Sequence, residues 1–297
     1  MSLPTTHVSF PAGAVTGASP ILAVHTLPDG RTAVVTGATP FHPVDHTWPD
    51  QPADLGTLTV DGTAHPVVDC LTGALGPDGA FAAGGDIPAR RGDEEWSWLV
   101  LHVLPAGALG AEAVGRTAEL AVDAERRGLL SAAHTGCHLL ALALNAALAP
   151  RWRKDPGRAD AFGHPDFDSL AMDSSVMDTT ASTDTYRIGK SLKKKGFTVD
   201  ATEELPALAD ALPALTAEVN ARLAAWVAAD AAVRIEVPGP ELTARRRWHA
   251  ELPDGPADIA CGGTHLHHLG ELTGLRTELT LSADGAELVA RTSPERA

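Results

Sequence analysis

The sequence predicts an α+β protein, with a small N-terminal β-barrel followed by a two-layer domain of helices on a mixed or antiparallel sheet. Three observations predict it. Short Val-, Thr- and Leu-rich runs between turn residues fill positions 1–115, an Ala/Leu-rich stretch surrounds 129–145, and strand-like runs return after 232. In the first region 32–36, 56–60 and 98–104 read as strands. Pro28-Asp29-Gly30, Asp61-Gly62 and Pro77-Asp78-Gly79 punctuate them as turns, so a barrel or sandwich is expected.

From about residue 116 the period becomes helical. The flanks 129–133 and 139–145 carry Ala and Leu with neither Gly nor Pro, which favours a helix through the histidines between them. An irregular segment is expected over 150–182. A helix then lies within 204–229, where Leu212, Leu215, Val219, Leu223 and Trp226 recur every three or four residues and Pro206 and Pro213 limit its regular start. Strands are expected at 233–237, 276–281 and 287–290. The chain therefore divides into 1–115 and 116–297.

With 297 residues and 44% apolar content the chain can bury substantial cores. Its cysteines are odd in number, namely Cys70, Cys137 and Cys261, and its opening residues have neither a basic region nor an apolar core. A reduced, cytoplasmic setting is expected. No run approaches the roughly 20 apolar residues of a membrane span, so no membrane partner is expected.

Two short signatures carry the chemistry: His134-Thr135-Gly136-Cys137-His138 and Cys261-Gly262-Gly263-Thr264-His265. Residues i and i+4 share a helix face, so one ion can reach His134 and His138 together. Gly262 and Gly263 argue for a turn that brings Cys261 and His265 to one point. Three imidazoles and a thiolate suit zinc better than a hard cation. The plain alternative for a His-x-x-x-His pair on an Ala/Leu helix is chance. Zinc-protease chemistry is disfavoured because Thr135 follows His134 where that motif has glutamate. Cys137 points roughly 100° away from His138 on an ideal helix and reads as a small core side chain. His267 and His268 compete as ligands but rank below His265.

A formal net charge of −15 argues against nucleic acid, whose affinity comes largely from Lys and Arg on phosphates. Distribution argues the other way. Of the five lysines, Lys190, Lys193, Lys194 and Lys195 fall in one short run just after Arg187. Arg151, Arg153, Lys154 and Arg158 form a second basic group, and Arg245, Arg246 and Arg247 a third. The run is a candidate for phosphate contact, the alternative being a solvated basic turn. Gly189-Lys190-Ser191 is not a P-loop, because the glycine required five positions earlier is Asp184. The polar stretch 166–184 reads as a surface loop, or as one that orders beside an RNA end.

His134-Thr135-x-x-His138-Leu139-Leu140 and Cys261-x-Gly263-Thr264-His265 resemble the zinc signatures of the alanyl-tRNA synthetase editing domain and its freestanding AlaX-type relatives. Asp123-Ala124-Glu125-Arg126-Arg127 resembles that family's lead-in to the helix. Phe41-His42-Pro43 with Gln51-Pro52-Ala53-Asp54-Leu55-Gly56 is similar to its Phe-Tyr-Pro and Gln-Pro-x-Asp-x-Gly elements. The resemblance spans about residues 35–280. One departure stands out: the family's glycine-rich stretch before the Gln is replaced by the longer, glycine-free 44–50, so the pocket should differ in shape.

The resemblance implies that 116–297 is a zinc-containing editing domain and that the chain hydrolyses the ester of a mischarged aminoacyl-tRNA in trans. It implies Zn2+ held by His134, His138, Cys261 and His265, through which the catalytic chemistry runs. Gln51, Asp54 and Thr135 would line the substrate pocket, and Arg187, Lys190, Lys193, Lys194 and Lys195 would contact tRNA rather than DNA. A Ser- or Thr-like amino acid, proteinogenic or not, is the preferred substrate, since a site built to bond a hydroxyl discriminates strongly. Two alternatives stay open: a non-catalytic, zinc-stabilised RNA-binding protein, and a zinc hydrolase of a small ester or amide.

Overall fold

A computed structural model describes residues 3–296. It is a mixed α+β structure whose sheets are mostly antiparallel, with four α-helices among the described residues: α1 Ala124–Leu148, α2 Phe167–Ala171, α3 Lys190–Lys194 and α4 Leu208–Ala228. The chain forms two compact units. The first comprises 1–128, 235–247 and 261–264, and the second 129–234, 248–260 and 265–297.

In the first unit eight strands form one sheet, in the order Thr63–Val67, Gly56–Val60, Thr117–Val122, Thr16–Thr26, Thr32–Thr36, Ser97–Leu104, Asp69–Leu75, Phe81–Ala83. Every neighbouring pair in it is antiparallel. Thr117–Val122 lies past residue 115 yet belongs here, because it pairs with strands on both sides. No ladder joins the two end strands among the described residues, so hydrogen bonding does not close the sheet into the expected barrel. Its centre is covered on both faces. Val34, Trp98, Val100 and Leu104 enter one apolar cluster, and the alternating Ala33, Val35, Leu99, Leu101 and Val103 enter another. Two-sided burial is why these strands read as continuous apolar runs. The hairpin joining Gly56–Val60 to Thr63–Val67 turns on Asp61 (φ 50°) and Gly62 (φ 78°). Two successive positive φ values match the right-handed twist of the flanking strands and suit an Asp-Gly pair.

The second unit holds a four-stranded antiparallel sheet, ordered Met172–Met177, Ser182–Arg187, Glu287–Arg296, Leu272–Leu281. A Cβ on Gly136 of α1 would meet Leu275 Cδ1 at 3.0 Å, so the helix backbone approaches this sheet closely. α4 buries Leu208, Ala211, Leu215, Val219, Leu223 and Trp226. Four of these were expected from the period; Leu212 instead lies on the half-buried flank. Three further strands, Val233–Glu236, Arg247–Leu252 and Gly255–Ala260, form a separate sheet.

Two segments differ from expectation. The stretch 150–182 is not irregular throughout, since it contains α2 and the strand Met172–Met177. Asp and Ser are poor strand formers, and here the strand is stabilised by its antiparallel partner Ser182–Arg187. The lysine run is a short helix rather than a plain turn. The apolar helix running from Ala124 to Arg151 is long enough by composition to cross a bilayer, but 89% of its apolar window is buried within the protein.

Candidate metal centre

Helix α1 begins where Asp123 Oδ1 accepts the backbone N–H of Arg126 at 3.0 Å, satisfying one of the free donors of the first turn. One helical turn then sets His134 and His138 on the same face, with tilted rings whose centroids are 5.0 Å apart. His265 lies 4.3 Å from the His134 ring and 4.9 Å from the His138 ring. One ligand-competent atom from each of His134, His138, Cys261 and His265 lies within 4.8 Å of the others, so the cluster can hold a metal ion. The two signatures, far apart in sequence, thus supply one set of donors.

The chemistry of the set fits zinc. His138 Nε2 is shielded from solvent and has no hydrogen-bond partner, a costly state for a buried nitrogen unless it serves as a ligand. Burial holds the His134 pKa down to about 4. Burial, reinforced by His134, pushes His138 well below the usual imidazole range. Both are therefore neutral near pH 7, the form that ligates. Burial pushes the Cys261 thiol up to about 12; the Gly263 N–H opposes the rise, Asp50 adds to it and Arg91 opposes it. A thiolate here requires a nearby positive charge, which a bound cation supplies.

Surrounding residues orient the donors. Thr135 is fully buried, accepts the Leu266 N–H at 3.1 Å and lies 3.3 Å from His265 Nδ1. A proton on that Nδ1 leaves Nε2 as the ligating nitrogen. Gln51 clasps Thr264 twice: its Nε2 donates to Thr264 Oγ1 at 2.9 Å and its Oε1 accepts the Thr264 N–H at 3.1 Å. The Gly263 N–H points at Cys261 Sγ, 3.4 Å away. Neither Gly262 nor Gly263 has a positive φ, so this segment is shaped by those bonds and not by glycine's left-handed freedom.

Asp54 is completely buried in an ion pair with Arg127 and also accepts the His42 N–H at 2.6 Å. Its carboxylate is thus engaged in holding 41–56 together, and it does not face open space. The sequence reading places Arg127 in the lead-in to the helix but gives it no role; its guanidinium additionally donates to the Pro40 carbonyl at 2.8 Å. A cation in the first turn of a helix opposes the helix dipole, and that was the available signal. Trp248 was missed. Its ring, fully buried, packs 5.3 Å from that of His138 and forms one wall of the histidine cluster.

The remaining candidates lie elsewhere. Cys137 is outside the metal cluster, with Sγ 3.5 Å from Asp184 Oδ1. His268 pairs with Asp230 at 2.6 Å. In the glycine-free 44–50, Asp45 pairs with Arg91, His46 stacks on Trp98 at 5.4 Å and Trp48 is exposed. Lys190, Lys193, Lys194 and Lys195 are all exposed, whereas Arg187 pairs with Asp173. Compared with known families and curated proteins, the chain matches no family model and no curated protein.

Proposed function

We propose that this chain is a zinc-dependent deacylase that hydrolyses the ester of a mischarged aminoacyl-tRNA in trans. The observation that carries the reading is the convergence of His134, His138, Cys261 and His265, with two imidazoles held neutral and His138 Nε2 lacking any other partner. Bound zinc would polarise the ester carbonyl and lower the pKa of an attacking water from about 15.7 toward 7. His134 and His138 bind from a rigid helix, which limits their drift. Thr135 fixes the orientation of His265, and Gln51 fixes Thr264 between Cys261 and His265. His134 is buried while His138, Cys261 and His265 are only partly so, and substrate would approach from the side away from His134. The side chains of 44–50 occupy the region where the AlaX-type pattern has glycines, which favours a Ser- or Thr-like substrate recognised through polar contacts.

A second reading is favoured by the number of donors. Four protein ligands close a tetrahedral zinc, as in structural sites. The chain would then be a zinc-stabilised RNA-binding protein without activity.

Purified protein, with and without chelator, should be incubated with tRNAs charged correctly and incorrectly, Ser and Thr esters included. Release from one mischarged species that stops on chelation is the expected result. Stoichiometric zinc with no release from any ester would favour the structural reading.

A further inference from the structure

The fold gathers every lysine of the chain onto one surface. The sequence has five: Lys154, Lys190, Lys193, Lys194 and Lys195. Lys154 stands some forty positions before the rest, yet the residues just before it, 151–153, pair with 196–198. The Arg153 N–H donates to the Gly196 carbonyl at 3.0 Å, the Thr198 N–H donates to the Arg151 carbonyl at 2.8 Å, and Trp152 bridges to Phe197. The stem of Lys154 lies over Gly196, its Cγ 2.7 Å from where a Cβ would stand there. Lys195 directly precedes that glycine. Arg153 and all five lysines are exposed, six cations on a protein whose formal net charge is −15.

Beside this patch lies a groove of about 400 Å³ lined by Trp152, Arg153, Thr198, Glu203 and Glu204, among others. The Trp152 ring is braced edge-on against Phe197 at 5.1 Å. The groove therefore offers a cation, an indole and two carboxylates. A nucleotide has the matching parts: a phosphate for Arg153, a flat base for Trp152, and, in cytosine or adenine, an exocyclic amine that can donate to Glu203 or Glu204. A bilayer matches less well, because none of the exposed large apolar side chains (Trp48, Val68, Val114, Val176, Val237) belongs to these segments.

We propose that this surface is an RNA-binding site, in which Arg153 and the five lysines contact backbone phosphates and the Trp152 groove holds one unstacked nucleotide. The choice of RNA rests on the deacylase reading; the juxtaposition of patch and groove does not. It adds Trp152, Arg153 and Lys154 to the lysine run and leaves out Arg187, which Asp173 neutralises.

The test is fluorescence anisotropy of a 5′-labelled twelve-nucleotide oligocytidylate RNA with the zinc-loaded full chain at 50 and 200 mM salt. K154A/K193A/K195A should weaken binding at least tenfold and flatten the logarithmic salt dependence by roughly 2, about 0.7 for each phosphate no longer neutralised. W152A should weaken it about tenfold while W152F retains most of the affinity, and E203Q/E204Q should erase a preference for oligocytidylate over oligouridylate. Wild-type protein that binds anionic vesicles but no RNA would overturn the proposal, as would a triple variant that binds like wild type. Hydrolysis of seryl-adenosine, too small to span patch and site, is read in parallel. Cleavage without RNA binding overturns the RNA site alone, and RNA binding without any cleavage supports it while counting against the deacylase.

Discussion

Asp168 accepts the Tyr186 hydroxyl at 2.9 Å, and its carboxyl is held up to about 7, first by burial and then by the nearby Asp184 and Asp166. A carboxyl whose folded pKa exceeds its unfolded value destabilises the fold once it must ionise. The penalty is absent below about pH 4 and complete only above about pH 7. Asp168→Asn keeps an acceptor for Tyr186 and removes the charge. The variant should match wild type near pH 4 and exceed it by about 2–4 kcal/mol at pH 8 in urea unfolding; equal stability at both pH values would contradict the assignment. Cys261 leads to a second prediction at this scale. Its thiol is protonated near neutrality, whereas His134 and His138 are already neutral. Zinc binding should therefore release one proton from Cys261 and none from these two histidines, raising apparent affinity about tenfold per pH unit between pH 6 and 8. Calorimetric titration in buffers of different ionisation enthalpy reads this directly. The ligand types and their spacing were legible in the sequence. The side-chain partners of Gln51, Thr135 and Asp54 were not, because each is remote in the chain: Thr264, His265 and Arg127 respectively.

Among the elements, Gly56 illustrates a close approach that no local pattern could announce. A Cβ there would stand 2.2 Å from the Ala121 carbonyl oxygen and 2.9 Å from Val122 Cα. These are backbone atoms of the paired strand leading into α1 and cannot rotate aside. Gly56→Ala should destabilise the protein by about 2–3 kcal/mol, the cost of overpacking against rigid structure. Thermal unfolding checks this, and Gly62→Ala, which meets no atom within 4 Å, serves as a comparison limited to its positive φ. Helix α1 was readable because its Ala/Leu content and the i, i+4 histidines agree with one period. The strand Met172–Met177 was not, because its Asp and Ser residues carry a turn-like composition and its partner strand decides its state.

On the scale of the whole molecule, donors from two distant signatures would make stability depend on an ion bound between them. A metal bound only by the folded state stabilises it by RT ln(1 + [L]/Kd), about 2.7 kcal/mol at a hundredfold excess over Kd. Chelation should lower Tm by several degrees, and excess zinc should restore it; a Tm indifferent to chelator would argue that the cluster holds no tight ion. The amino-acid sequence by itself determined the alternation of strand and helix segments, the four candidate metal donors and the clustering of positive charge, because each depends on residue type and short-range spacing. Only the tertiary structure decided that the strand at 117–122 joins the first unit's sheet, that Asp54 is buried against Arg127, and that Lys154 meets the lysines at 190–195. Those outcomes depend on backbone pairing and burial between segments far apart in the chain, and such pairings leave no local periodicity to read.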